Sequence, residues 1–234
     1  AIGLTTFSDI SFVGRVDLDV SLVEHFSTGA DPLVSYTSSV ELLQSVRGVI
    51  SGSGFSKLLT IYPNTRLTLA FLTGWLFRRV MGYQLHLVHR DQIWPTVGLR
   101  TVSSNLADGL PHMLNSDSNE VAMVLSITRD ICGSGVTAVQ GCASTLKAVF
   151  NYRLEGHSVN SPAHAIAIAE DIARRIKNLF DHWNVTHIHL FGALPAALAV
   201  MIGHNLNAIN AISLYFLDEN RQSYSVGGTL YNNL

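Results

Sequence analysis

Short solid apolar runs alternate along this chain with longer stretches of helical spacing, the pattern of strands buried on both faces between covering helices. The densest stretch is His189–Leu217 (HLFGALPAALAVMIGHNLNAINAISLYFL). It predicts a buried strand, a tight Gly/Pro turn, an apolar helix and a second buried strand. Most of it occurs twice: Leu58–Arg90 superposes without a gap on His187–Glu219 at a constant offset of 129. Leu69-Ala70-x-x-x-Gly74 falls on Leu198-Ala199-x-x-x-Gly203, Ile61 on Leu190, Leu85 on Leu214 and Glu41 on Glu170. A long period present only twice predicts duplicated halves that face each other.

In chain order, Ile10–Val20 reads as a strand and Ser27–Ser39 as a loop. Ser38-x-x-Glu41 has the form of a capping box, followed by an apolar helical face of Val40, Leu43, Val46 and Ile50 and ended by Gly52 and Gly54. Leu58–Tyr62 predicts a short buried strand and Pro63-Asn64-Thr65 a turn carrying a helix N-cap. Arg66–Met81 predicts a helix closed by Gly82, and Tyr83–His89 the next strand. Together these make a right-handed β–α–β unit with parallel strands. Arg90–Ser118 reads as a long connection. Val121–Ile127 is a further strand, and Ser144–Tyr152 fits a helix or a strand. Ser161-Pro162 starts a helix that runs to about Trp183, with Glu170–Arg174 and Asp171–Arg175 expected as ion pairs on its wet side. Leu217–Leu230 predicts an antiparallel hairpin. The fold class is therefore α/β: two pseudo-symmetric Rossmann-like halves, residues 1–118 and 119–234, with mainly parallel sheets.

Composition sharpens this reading. Charged residues make up 14% of the 234 positions and hydrophobic ones 47%, against about 25% charged in an average soluble domain. A large core, and a surface covered by a partner, would account for that. The net charge of −2 creates no broad field for nucleic acid, so direct DNA binding is not expected and an anionic ligand must be held by local groups. The longest charge-free apolar run, Leu190–Gly203, contains Pro195 and is too short to span a bilayer. Cys132 and Cys142 form neither a disulfide framework nor a zinc pattern. No secretion signal opens the chain, which makes the cytoplasm the expected location, and the missing initiator Met suggests an excised domain.

In parallel sheets, ligands bind beyond the carboxyl ends of the strands, where helix N-termini point free N–H groups. The equivalent loops Tyr62–Arg66 and Phe191–Pro195 are the first candidates, bringing Tyr62, Asn64, Thr65 and Arg66 from one half and Gly192, Ala193, Leu194 and Pro195 from the other. Neither loop matches a dinucleotide or P-loop fingerprint. Trp94 either stacks a base or caps the core, and Tyr152 carries the same ambiguity. Arg15, Arg66, Arg129 and Lys147 are the cations best placed for phosphate. His187 and His189 share one face of a strand, but no carboxylate or cysteine stands near them in sequence, so a metal site is not expected. No catalytic pattern stands out.

The run HIHLFGALPAALAVMIGHNLN, followed by AISLYFLDENRQSY with its Asp218-to-Tyr224 ending, resembles the SAVED domain, which is built of two fused CARF-like halves. That resemblance covers essentially the whole chain, is most specific over Val185–Leu230 and weak over Cys132–Asn160, and agrees with the internal repeat. It implies a sensor, without enzymatic activity of its own, that binds a cyclic di- or oligonucleotide between its halves in antiphage (CBASS) or CRISPR-linked signalling. A cGAMP-type dinucleotide is favoured slightly over cyclic tri-AMP. It further implies homo-oligomerisation on ligand binding, an effector such as an endonuclease or NADase fused upstream, and no cofactor, metal or membrane. Two other readings stay open: a small-molecule enzyme on a Rossmann-like scaffold, and an oligomerisation module without a ligand.

Overall fold

A computed structural model describes residues 2–5, 18–21, 32–52, 56–90, 92–98, 102–115, 117–134, 137, 146–218 and 223–232. The first half contributes β1 (Ile2–Thr5), β2 (Leu18–Ser21), α1 (Pro32–Gly52), β3 (Leu58–Asn64), α2 (Leu67–Leu76), β4 (Gln84–His89) and β5 (Gln92–Pro95). Two short strands, β6 (Leu106–Asp108) and β7 (His112–Met113), follow. The second half comprises β8 (Glu120–Ser126), β9 (Ala148–Leu154), α3 (Pro162–His182), β10 (His187–Ala193), α4 (Ala196–Asn205), β11 (Ala211–Asp218) and β12 (Ser223–Tyr231).

The sheets repeat one topology. The first has the order β2-β1-β3-β4-β5, and the second runs β9-β8-β10-β11-β12 with β6 and β7 added beyond β9. In each, four strands are parallel and the last is antiparallel. Even the registers correspond, since Thr5 pairs with Asn64 and Ser126 with Ala193. The helices α2 and α4 span ten residues each at the expected offset of 129. The 21-residue helices α1 and α3 start 130 positions apart, so Glu41 and Glu170 sit one place out of step.

Both α2 (LTLAFLTGWL) and α4 (AALAVMIGHN) are apolar on all sides, which only a helix buried on all sides can be. They lie between the two sheets: α2 touches β11 and β12 of the second sheet, while α4 touches β3 and β4 of the first. Likewise α1 rests on β12 and α3 on β5. Tyr36 of α1 donates to Thr229 O at 3.3 Å, and Trp75 Nε1 to Tyr231 O at 3.1 Å. One continuous core therefore runs through both halves. A smaller one, around Phe191, Tyr215, Ile131 and Leu146, covers the outer face of the second sheet.

The centre of the structure is the crossing of α2 over α4. A Cβ built on Gly74 would lie 2.0 Å from Val200 O, and one on Gly203 would lie 2.3 Å from Phe71 O. These two contacts are images of each other at the repeat offset. Glycine is required at both places because the opposing atoms are backbone, which cannot move aside as a side chain can. Beside the crossing, His204 Nδ1 donates to Phe77 O at 2.6 Å while its Nε2 is buried without a partner. Burial above all, with Arg79 adding to it, pulls this imidazole down to about 4, against the smaller opposing effect of the Phe77 hydrogen bond.

Several expected details differ. The helix α1 begins at Pro32, so Ser38 and Glu41 lie inside it and form no capping box. The expected strand over Ile10–Val20 is observed as Leu18–Ser21, the rest of it lying outside the described residues. The expected long connection Arg90–Ser118 holds β5, β6 and β7, and the last two pair with β9 in the second sheet ahead of the expected boundary at residue 118. Asp171 is 3% exposed and not on a wet face. It accepts from Ser104 Oγ at 2.7 Å and from Arg174 and Arg175, while Arg175 also reaches Asp108. Burial works against this carboxylate's charge, but the Ser104 and Arg175 hydrogen bonds outweigh it and hold the group below its usual range. Glu170 also reaches across to Arg79 of the first half, at 3.6 Å.

Two outcomes test this account. Gly74→Ala drives a methyl into a carbonyl, at a cost of about 3 kcal/mol or more. Gly48→Ala on α1, where nothing lies within 4 Å, is neutral or stabilising by up to about 1 kcal/mol. Equal denaturation midpoints for the two variants would refute the crossing. For His204, the unfolded chain takes up a proton near pH 6.5 that the folded chain refuses until about 4. Its contribution to stability is full above pH 6.5 and lost as the pH falls toward 4, on the order of 2 kcal/mol between pH 7 and 5. His204→Asn keeps a donor for Phe77 O and removes the titration, so urea curves from pH 7 to 5 should fall less steeply for it than for the parent; parallel curves would count against the assignment.

Candidate functional site

At the carboxyl end of the second sheet, β10 turns into α4 through Ala193-Leu194-Pro195. A Cβ on Gly192 would lie 2.4 Å from Leu194 Cδ2, so glycine there lets Leu194 fold back over the turn. The neighbouring strand closes against the same point, because the N–H groups of Ile127 and Thr128 both donate to Ala193 O, at 3.1 and 2.9 Å. The turn after β8 is then held by its own side chains: Ser126 Oγ accepts from Ile131 N and the Asp130 carboxylate from Cys132 N. Arg153, at the end of β9, stands 3.6 Å from Asp130. The Cys132 N–H and thiol, helped by Arg153 and His157, hold the Asp130 carboxyl below its ordinary range. Burial and the nearby Asp130 push the Cys132 thiol up, away from thiolate reactivity.

The matching place in the first half is the turn from β3 into α2. The expected N-cap in Pro63-Asn64-Thr65 is not found. Asn64 completes β3, and the N-cap is Arg66, in extended conformation and without a side-chain cap. Its counterpart Pro195 likewise provides none. This contrasts with α3, whose Ser161 Oγ accepts from His164 N at 3.1 Å. Neither N-cap side chain therefore covers the first N–H groups of its helix, which makes the pair of starts a place for negative charge. Beside the first lies Thr65, 6% exposed, whose Oγ1 is buried without a partner. Such an orphan hydroxyl is rare in a packed interior and invites a partner from outside the chain.

The residues expected to bind ligand distribute unevenly. Thr65, Arg66, Gly192, Ala193, Leu194 and Pro195 all belong to these two turns, and Asn64 is exposed beside them. Arg129 is exposed on the turn after β8, at the same end. Tyr62 faces away from the core, since β3 buries Leu59 and Ile61 on its other face. Trp94 is not an exposed loop aromatic: it is a β5 residue, 3% exposed, paired with Leu87 and with its ring tilted against His89, centroids 4.3 Å apart. Tyr152 is buried in β9 with the Arg175 guanidinium 4.7 Å from its ring centre. Lys147 stands at the amino end of β9 and donates to Trp183 O. Arg15 lies outside the described residues.

Two further groupings went unread in the sequence. A surface cleft of about 240 Å³ lies by the far end of α4, among Arg79, Glu170, Arg174, Lys177, Asn205 and Asn207. At the amino edge of the second sheet, His187 and His189 meet Glu120, their ligand atoms all within 4.8 Å of one another. Among the described residues, no helix is long and apolar enough to cross a membrane.

Comparison with known proteins gives this geometry a context. A family model for the SMODS-associated and fused to various effectors sensor domain (SAVED) matches residues 42–229. CD-NTase-associated protein 4 of Enterobacter hormaechei subsp. hoffmannii is 24% identical over 167 residues, which are 69% of this chain and 33% of that protein. The Acinetobacter baumannii Cap4 SAVED/CARF-domain containing receptor, solved with the cyclic trinucleotide 2'3'3'-cAAA, superposes with a TM-score of 0.81 at 16% identity, over 98% of this chain and 51% of the receptor. The corresponding Moraxella osloensis receptor gives 0.66 at 17% identity, over 97% and 49%. The chain thus spans about a third of the curated relative and about half of the solved receptors. With the twin sheets, the repeat and a family match over most of its length, the chain belongs to the SAVED sensor-domain family.

Proposed function

We propose that this chain senses a cyclic oligonucleotide, held at the carboxyl ends of its twin sheets by the two uncapped helix starts at Arg66 and Pro195. The observation that carries the reading is that pair of equivalent starts with the orphan Thr65 hydroxyl beside one of them. A cyclic oligonucleotide offers the matching chemistry. Its phosphates suit helix N–H groups and the guanidinium groups of Arg66 and Arg129. Its closed ring loses little conformational freedom on binding. The A. baumannii receptor is also solved with 3'3'3'-cAAA, which supports a cyclic trinucleotide over the cGAMP-type dinucleotide favoured from sequence. A ligand of this kind would promote self-assembly, and with it a fused effector, to the extent that it binds the associating form more tightly than the free one.

A thermal-shift panel of cyclic di- and trinucleotides, in 2′–5′ and 3′–5′ linkages with linear controls, reads the ligand directly. One cyclic compound should raise the melting temperature at micromolar concentration. Thr65→Val should leave the unliganded protein within about 0.5 kcal/mol of the parent, because no partner is lost. It should also weaken binding about tenfold, the loss of one hydrogen bond. Arg66→Glu should weaken it at least as much. A flat panel, or full affinity in both variants, would reject the site.

A further inference from the structure

At the amino edge of the second sheet, away from the proposed nucleotide site, the strand register assembles a cluster that sequence spacing does not reveal. His187 and His189, two apart on β10, place their rings on one face, stacked with centroids 4.4 Å apart. On the adjacent strand Glu120 pairs with His187 in register, so its carboxylate emerges beside both rings and lies 2.9 Å from His189 Nε2. The ring nitrogens turned the other way are anchored. His189 Nδ1 lies 2.9 Å from Tyr215 Oη, and His187 Nε2 lies 2.8 Å from Ser213 Oγ, which is itself 3.0 Å from Thr229 Oγ1.

We propose that Glu120, His187 and His189 form a binding site for a divalent transition-metal ion of the Zn²⁺ type. Two imidazoles and one carboxylate are a set that zinc accepts, with solvent in the fourth position. Ligands on a tetrahedral zinc stand roughly 3.3–3.5 Å apart, so atoms already within 4.8 Å of one another need close by only about an ångström. The hydroxyl anchors are the outer partners that metal-bound histidines ordinarily have. With the ion on His189 Nε2, the ring proton sits on Nδ1 and is donated to the Tyr215 oxygen. With the ion on His187 Nδ1, Nε2–H donates to Ser213 Oγ, and Ser213 in turn donates to Thr229. Glu120 is on the open side, its side chain 41% exposed, which provides an entry path. An ion here would fasten β8 to β10 directly and, through Ser213 and Tyr215, to β11.

The test titrates the metal-free chain with Zn²⁺ by calorimetry and with Co²⁺ by visible absorption. One ion per chain at micromolar affinity or tighter, a Co²⁺ ligand-field band and a raised melting temperature are expected. Glu120→Gln keeps a hydrogen-bonding group beside His189 but removes the charge, and His187→Asn alters a ring that is only half-buried. Each should reduce affinity at least tenfold while the metal-free melting temperature stays close to the parent's. Tyr215→Phe should reduce it roughly 10- to 100-fold. Absence of binding, or binding undiminished in both Glu120→Gln and His187→Asn, would overturn the site and, in the second case, place the ion on other histidines. A nucleotide-panel failure leaves these readouts untouched, so the two proposals stand or fall separately.

Discussion

Two helices that meet backbone to backbone set the shape of this molecule. Because α2 and α4 touch through Gly74 and Gly203, their axes lie closer than any side chain would allow, and each can reach the sheet that belongs to the other. Small residues at a crossing gain close van der Waals contact over many atom pairs, each worth only about 0.1–0.2 kcal/mol. The apolar faces all round both helices then find cover without any further layer. From this follow the shared core and the docking of α1 and α3 on the opposite sheets.

The duplication explains why the candidate site is built from absence as much as from presence. An isolated helix gains about 1 kcal/mol from a good N-cap, and α3 has one. The two central helices forgo it at the same structural position, each entering from a strand through a residue that cannot cap by side-chain oxygen, Arg66 or Pro195. Losing that stabilisation twice, at related places in a well-packed protein, fits a site where the ligand completes the hydrogen bonding.

Much of this was legible in the sequence because the duplicated segment carries its own period. The strand–helix–strand units, their parallel pairing, the α/β class and the Ser161-Pro162 helix start all follow from local pattern. What was not legible depended on contacts distant along the chain. Trp94 reads as a loop aromatic beside proline, yet cross-strand pairing with Leu87 draws it inside. Asp171 looks like half of a surface pair at helical spacing, and only the fold brings Ser104 and Asp108 to it. His187 and His189 lack an acidic neighbour until parallel register puts Glu120 next to them. Ser38 and Glu41 imitate a helix start, whereas α1 begins at Pro32. In each case the local rule is sound and a tertiary partner overrides it.

The strands β6 and β7 belong by position to the link between the halves, but they extend only the second sheet, beyond β9. The halves are therefore alike at the axis and unlike at the rim. A ring-shaped guest rotated by half a turn would meet the same pair of helix ends in a changed surround. Under the proposed function, the two orientations of one ring would be different binding events, and a messenger with inequivalent linkages would have a preferred way round.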